Sequence, residues 1–174
     1  MLRYLLILVI FCADALCAKV KTKVYVNPEG CFNTYRLATG RVLTSRGLIE
    51  DPTVNSIMKD AVSAQMKDLK IGEAGKDAQL EVRFMGGSSA DLQVDADLSV
   101  GDVAMWNIGG PVAVSSRTYK KSALLIAVID NKSNQTLWAA KCSDNFGDPN
   151  QLQERIQKAV AKAFAKFPKK IACS

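Results

Sequence analysis

Ser122-Ala123-Leu124-Leu125-Ile126-Ala127-Val128-Ile129-Asp130, with Thr136-Leu137-Trp138-Ala139-Ala140-Lys141-Cys142 just behind it, is the stretch that decides the fold. The run 123–129 is almost unbroken in apolar residues and far too short to cross a bilayer. It reads as a strand at the centre of a sheet. Residues 130–135 are polar and turn the chain, and 136–142 pair back on the first strand.

Outward from this pair the pattern alternates between strands and one-sided helices. On the C-terminal side, Asp148-Pro149 offers a cap and a first helical position. Leu152, Ile156, Ala159, Val160, Ala163, Phe164 and Phe167 then form an amphipathic stripe that Pro168 ends. On the N-terminal side, Ala78, Leu80, Val82 and Phe84 alternate as a strand. Gly86-Gly87-Ser88-Ser89 turns, and Leu92, Val94, Ala96, Leu98 and Val100 return as the second arm of a hairpin. Earlier still, Asp51-Pro52 opens a helix. Val54, Ile57, Met58, Ala61, Val62 and Leu69 follow the 3.6-residue repeat, and Gly72 is its stop. Val20, Thr22, Val24 and Val26 alternate, 27–30 turn, 32–38 form a second strand, and 39–50 read as a loop. The order β-β-α-β-β-β-β-α predicts an α+β fold. Its form is a two-layer sandwich, a mainly antiparallel sheet of about six strands with two helices on one face and the other face wetter.

The chain also carries an address. Arg3 begins a short positive start, 4–13 is apolar, and the small residues Ala13, Ala15 and Ala18 offer cleavage points. This is the layout of a secretory signal peptide over 1–18. It leaves 19–174 as a single α+β domain of about 155 residues, large enough for one hydrophobic core. An exported protein of the periplasm, cell envelope or extracellular space is expected. The net charge of +6 is unchanged by removing Arg3 and Asp14, and it favours anionic surfaces rather than nucleic acid. Histidine is absent, which removes the commonest general base and metal ligand. There is no CxxC, no P-loop, no dinucleotide fingerprint and no nucleophile elbow, so no cofactor is expected.

Three cysteines, Cys31, Cys142 and Cys173, follow the signal. The helix between Cys142 and Cys173 runs ~28 Å. A short tail reaches back at most ~17 Å, so that pair is disfavoured. Cys31–Cys173 is the preferred disulfide over Cys31–Cys142.

Tyr119, the apolar 124–129 closing on Asp130, the pair Leu137-Trp138, and the helix ending in Phe167-Pro168 together resemble the bacterial envelope domain-of-unknown-function family 4136. The Asp51-Pro52 helix and the strand after it fit the middle of that family, and Phe32-Asn33-Thr34-Tyr35 loosely matches its opening. The resemblance implies the fold and export but no activity. Many relatives are lipoproteins. Here Phe11 and Leu16 stand before Cys12 and Cys17, where a lipobox needs a small residue.

Three groups are candidate sites. Met105, Trp106 and Ile108 lie in a glycine-containing connection, 101–119, and can present an aromatic anchor to a protein or envelope component. Asp91, Asp95 and Asp97 share one side of their strand and suit Ca²⁺ in a metal-dependent hydrolase, although Glu81 and Arg83 on the partner strand favour a solvated face. Lys158, Lys162 and Lys166 recur on the polar side of the last helix, with Lys169 and Lys170 beyond. That is the pattern of a weak contact with anionic membrane or of an ordinary wet helix face. A non-enzymatic binding or structural role is the expected function.

Overall fold

The computed structural model describes residues 18–27, 30–44, 47–88 and 122–173. Its strands are β1 (Lys19–Val24), β2 (Thr34–Leu37), β3 (Arg41–Thr44), β4 (Gly47–Ile49), β5 (Gly72–Glu73), β6 (Leu80–Ser88), β7 (Ser122–Asp130) and β8 (Gln135–Asp144). Helix α1 spans Pro52–Asp68 and α2 spans Leu152–Phe164, with a 3-10 turn at Lys169–Ile171. Across the sheet the order is β1-β8-β7-β6-β2-β5. β3 lies beside β6, and β4 beside β3.

The apolar run fixes the middle. β7 pairs antiparallel with β6 on one edge and β8 on the other, and every residue from Ala123 to Ile129 is buried. Between β7 and β8 the register shifts at Val128/Ile129, so that Leu137 becomes the extra residue of β8. A bulge lets neighbouring residues turn the same way. Leu137 and Trp138 are accordingly both in the main core, which strict alternation forbids.

One row from each central strand faces the helices: Leu80, Val82 and Phe84; Leu124, Ile126 and Val128; Trp138, Ala140 and Cys142. Met58, Ala61, Val62 and Met66 of α1 and Ile156, Ala159, Val160, Ala163 and Phe164 of α2 close over them. The two helices also contact each other. Trp138 has Phe164 at 5.4 Å and Phe167 at 5.2 Å between ring centroids, tilted and edge-on, which are favoured aromatic geometries.

α1 starts where expected. Asp51 Oδ1 accepts hydrogen bonds from the Thr53 and Val54 N–H groups, and Pro52 opens the helix. It stops earlier than Gly72, at C-cap Leu69. Lys70 takes the left-handed conformation at φ 60°, and Gly72 belongs to β5. The second cap differs. Asp148 Oδ1 accepts from Asn150 N–H in a turn, and α2 begins at N-cap Gln151 without a side-chain cap bond.

Three expectations need correction. The sheet is mixed: β2 and β3 each run parallel to β6, and β2 runs parallel to β5. The cause is α1, whose length carries the chain back across the sheet so that β6 starts from the same end as β2. Residues 39–50 are not a loop, since they contain β3 and β4, an antiparallel pair of short strands. The partner of β6 is β7, not 92–100. β6 is engaged with β7 along Leu80–Ser88, while its other edge is taken by β2 and β3. Residues 92–100 themselves lie outside the described residues.

The face away from the helices is not uniformly wet. Ala123, Leu125, Ala127 and Ile129 of β7 are at most 3% exposed there, and Tyr25 packs on Ala127, Ile129 and Ala139. Lys19, Lys21 and Lys23 of β1 are exposed.

Candidate functional site

Among the described residues, the strongest charged feature lies where β1 meets α2. β1 pairs with β8 on one side, and no described strand lies on its other edge. The Tyr25 N–H donates to Leu137 O at 2.9 Å, which marks the odd-numbered residues as those bonded to β8. An antiparallel ladder alternates, so Val20, Thr22 and Val24 turn their backbone N–H and C=O groups outward. One of these is already engaged: the ammonium of Lys166, in the turn just after α2, donates to Val20 O at 3.0 Å.

Lysines flank this edge on both sides. Val20 packs against the core, so Lys19, Lys21 and Lys23 fall on the face away from the helices. Lys23 Nζ sits 5.0 Å from the Tyr25 ring centroid, a cation–π contact. Lys162 of α2 and Lys166 just beyond its end lie on the helix side, near enough to Cys142 that their charges oppose the rise of its thiol pKa. Burial dominates and pushes that thiol up to about 12. Cys142 Sγ–H donates to Ala159 O at 3.6 Å within the core. This cysteine is a packed side chain with no thiolate to offer near neutrality.

The lysines of α2 are not equivalent. Lys158 pairs with Glu154 at 2.5 Å one turn earlier, and its ammonium holds the Glu154 carboxyl below the usual range. Lys166 reaches β1. Lys169 and Lys170 follow in the 3-10 turn and are exposed. The apolar stripe of the helix is buried, as Ile156, Ala159, Val160, Ala163 and Phe164 all belong to the core.

A second polar cluster sits on the far face of β6. Burial works to raise the Glu81 carboxyl, but hydrogen bonds from Arg83 and Arg36 and their charges outweigh it and hold it low. Arg36 also donates to Asn131 Oδ1 at 3.1 Å, and Asn131 Nδ2 donates to Ala78 O at 3.0 Å. Arg83 thus pairs with Glu81, the carboxylate of its own strand. Asp91, Asp95 and Asp97 are the residues that the sequence pattern sets across from this pair. Those aspartates, like Met105, Trp106 and Ile108, lie outside the described residues. Among the described residues no three metal-ligating side chains converge.

Cys31 and Cys173 are joined by a disulfide with Cα atoms 4.9 Å apart. The flanking backbone forms an isolated parallel bridge between Phe32 and Ala172. Phe32 N–H donates to Ile171 O, and Cys173 N–H to Phe32 O. The C-terminus is thereby stitched to the start of β2.

Two cavities open at the same end of the helix layer. One, of about 280 Å³, lies between the first turns of α1 and α2 and is mostly apolar, with Val54, Leu124, Phe146, Leu152 and Ile156 in its wall. The other, of about 560 Å³, is a polar groove where Glu50, Asn55, Lys59 and Glu73 face one another. Lys59 there pairs with Glu73 at 3.7 Å. Asn55 is tied to the Gly40 backbone in both directions.

The family model for a domain of unknown function, DUF4136, matches residues 28–169. The chain belongs to the DUF4136 family. A DUF4136 family protein from Bacteroides thetaiotaomicron has the same fold at TM-score 0.60 and 14% identity, over 89% of this chain and 97% of that one. A PDZ domain protein from Parabacteroides distasonis contains a similar region at TM-score 0.54 and 12% identity, over 87% of this chain and 35% of its own. The PelC dodecamer from Paraburkholderia phytofirmans follows at TM-score 0.49 and 11% identity, over 90% of this chain and 99% of that one. No curated protein matches the sequence significantly. At these identities the DUF4136 likeness shows the architecture, and a site has to be argued from this chain's own residues.

Proposed function

We propose that this DUF4136 domain is an exported, non-enzymatic binding domain of the cell envelope, delivered by a signal peptide over 1–18. The observation that carries the reading is the Cys31–Cys173 disulfide, which closes the chain over a separation of 142 residues. Such crosslinks persist in oxidising compartments and are reduced in the cytosol. The address at the N-terminus and the strand that begins at Lys19 support the same placement. A partner protein or an envelope component is the expected ligand class. No membrane-crossing helix occurs among the described residues.

The test is made on protein recovered from the envelope fraction of its own cells. Intact mass and N-terminal sequencing should show a chain lacking Met1 and the apolar run. Thiol labelling should find Cys142 alone, and only after denaturation, because its raised pKa leaves the native thiol about a thousandfold less ionised than an ordinary one. A recovered chain that keeps Met1, or in which Cys31 and Cys173 label without reductant, overturns the proposal. The connection 101–119 is part of the same reading. Trp106→Ala should abolish capture of a partner from the envelope fraction and leave the melting temperature within about 2 °C.

A further inference from the structure

We infer that the outer edge of β1 receives an extended, acidic segment of a partner protein as an added strand. This rests on the binding role proposed above and names the chemistry of its partner. Val20, Thr22 and Val24 turn their backbone groups away from β8, and no described strand takes them up. A strand laid there would extend the ladder and send alternate side chains to the two faces of the sheet. On one face those side chains would meet Lys19 and Lys21, and on the other Lys162 of α2 and Lys166 just beyond it. None of these four lysines takes part in an ion pair among the described residues. Carboxylates on both sides of the incoming strand therefore find cations. The bond from Lys166 to Val20 O shows the edge acceptor already occupied by a cation, which an incoming N–H would replace, freeing the ammonium for a carboxylate.

Other occupants fit less well. Two copies of this chain pairing through β1 would set lysine rows against each other, which is repulsive. A bilayer would need an apolar anchor, and the apolar stripe of α2 is buried in the core. Alternating lysines also protect an edge against non-specific pairing. The two roles agree, since the charges that reject neutral and basic strands select an acidic one.

The experiment uses the purified mature chain and a short, labelled, acetylated peptide of alternating glutamate and threonine, read by fluorescence anisotropy. Saturable binding is expected. Lys19→Glu/Lys21→Glu should weaken it about tenfold or more, and Lys162→Glu/Lys166→Glu by a similar factor. The same peptide N-methylated on alternate amides keeps its charge and loses its donors, and it should not bind. Thr22→Pro removes one outward donor while leaving the bonds to β8, a substitution edge strands tolerate. It should weaken binding at an unchanged melting temperature. Absence of binding by the parent peptide overturns the inference and leaves the lysines as edge protection. Equal binding of the N-methylated peptide, or of phosphatidylserine vesicles that the peptide does not displace, overturns it in favour of a contact made by charge alone. Each of these failures leaves the export reading standing, since that is decided by the processed N-terminus and the disulfide.

Discussion

β7 and β1 belong to one sheet, separated only by β8, and they solve the strand problem in opposite ways. β7 is flanked on both edges, buried on both faces, and built from residues with no polar side chain between Ala123 and Ile129. β1 is paired on one edge among the described residues, half-buried on one face, and lysine at every second position. The backbone hydrogen-bond chemistry is the same in both. The difference teaches that side-chain composition decides how many of a strand's surfaces must be covered. A strand with nothing polar must be enclosed, and a strand with alternating charge can sit at the rim and be read from outside.

The sharpest way to break this comparison is to truncate equivalent apolar side chains in the two strands. Ile126 is fully buried among core residues from both helices and the neighbouring strands. Ile126→Ala should cost about 3 kcal/mol from lost transfer energy and the cavity left behind. It should be read as a fall in the denaturation midpoint at constant slope. Val24, at 44% exposed, should lose less than about 0.5 kcal/mol on Val24→Ala. Equal losses would mean that β1 is enclosed in solution and that its edge is not available.

Between these limits lies the far face of β6, where a buried carboxylate replaces apolar packing. Glu81→Gln keeps the shape but strips the charge that compensates Arg36 and Arg83, and about 1–2 kcal/mol of stability should be lost at neutral pH. The sign of the pH effect follows from the depressed carboxyl. The contribution of Glu81 is present in full above the carboxyl pKa of the unfolded chain, near 4.5. It fades as pH falls through the lower folded value. Wild-type stability should therefore decline below about pH 4.5 more steeply than that of Glu81→Gln. Parallel pH profiles would show that this pair is screened by solvent and contributes nothing measurable.

The smallest effect tests the link between β1 and α2. Lys166→Ala removes the bond to Val20 O, which is exposed, and should change stability by less than about 0.5 kcal/mol. It should speed hydrogen exchange at Lys21 and Lys23, whose amides are bonded to β8, relative to the amides of β7. Unchanged exchange along β1 would show that the lysine does not order the rim.

Much of this organisation was legible in particular residues. The unbroken apolar run 123–129 is a central strand because nothing in it can face water. Asp51-Pro52 is a helix start because the carboxylate meets free N–H groups that proline helps to arrange. The same reasoning misfired at Asp148-Pro149, where the local turn captured Asp148 and left α2 uncapped. The α1 crossover between β2 and β6 was itself the signal for a parallel pair. The glycines and serine after Phe84 read as a turn but continue β6 to Ser88, and strand pairing depends on which edges are vacant and not on sequence proximity. The short strands β3 and β4 carry too few residues for a periodic signal, and their pairing with β6 and each other makes them strands.

For the candidate site the division is similar. The lysines of α2 were visible as a four-residue repeat, yet Lys158, Lys162 and Lys166 read alike until folding gave each a different neighbour. The sequence by itself determined the two helices and the long strands, most of the residues that must be buried, and the family. Those follow from local periodicity and the cost of exposing apolar surface. Only the tertiary structure decided which edges meet, that Leu137 and Trp138 share a core through a bulge, and that β1, the outermost of the described strands on its side, lies beside α2. The contact of Lys166 with Val20 joins residues 146 positions apart, beyond any local window of sequence, and the bulge depends on how β8 packs against β7 and the helices rather than on the alternation of its own residues.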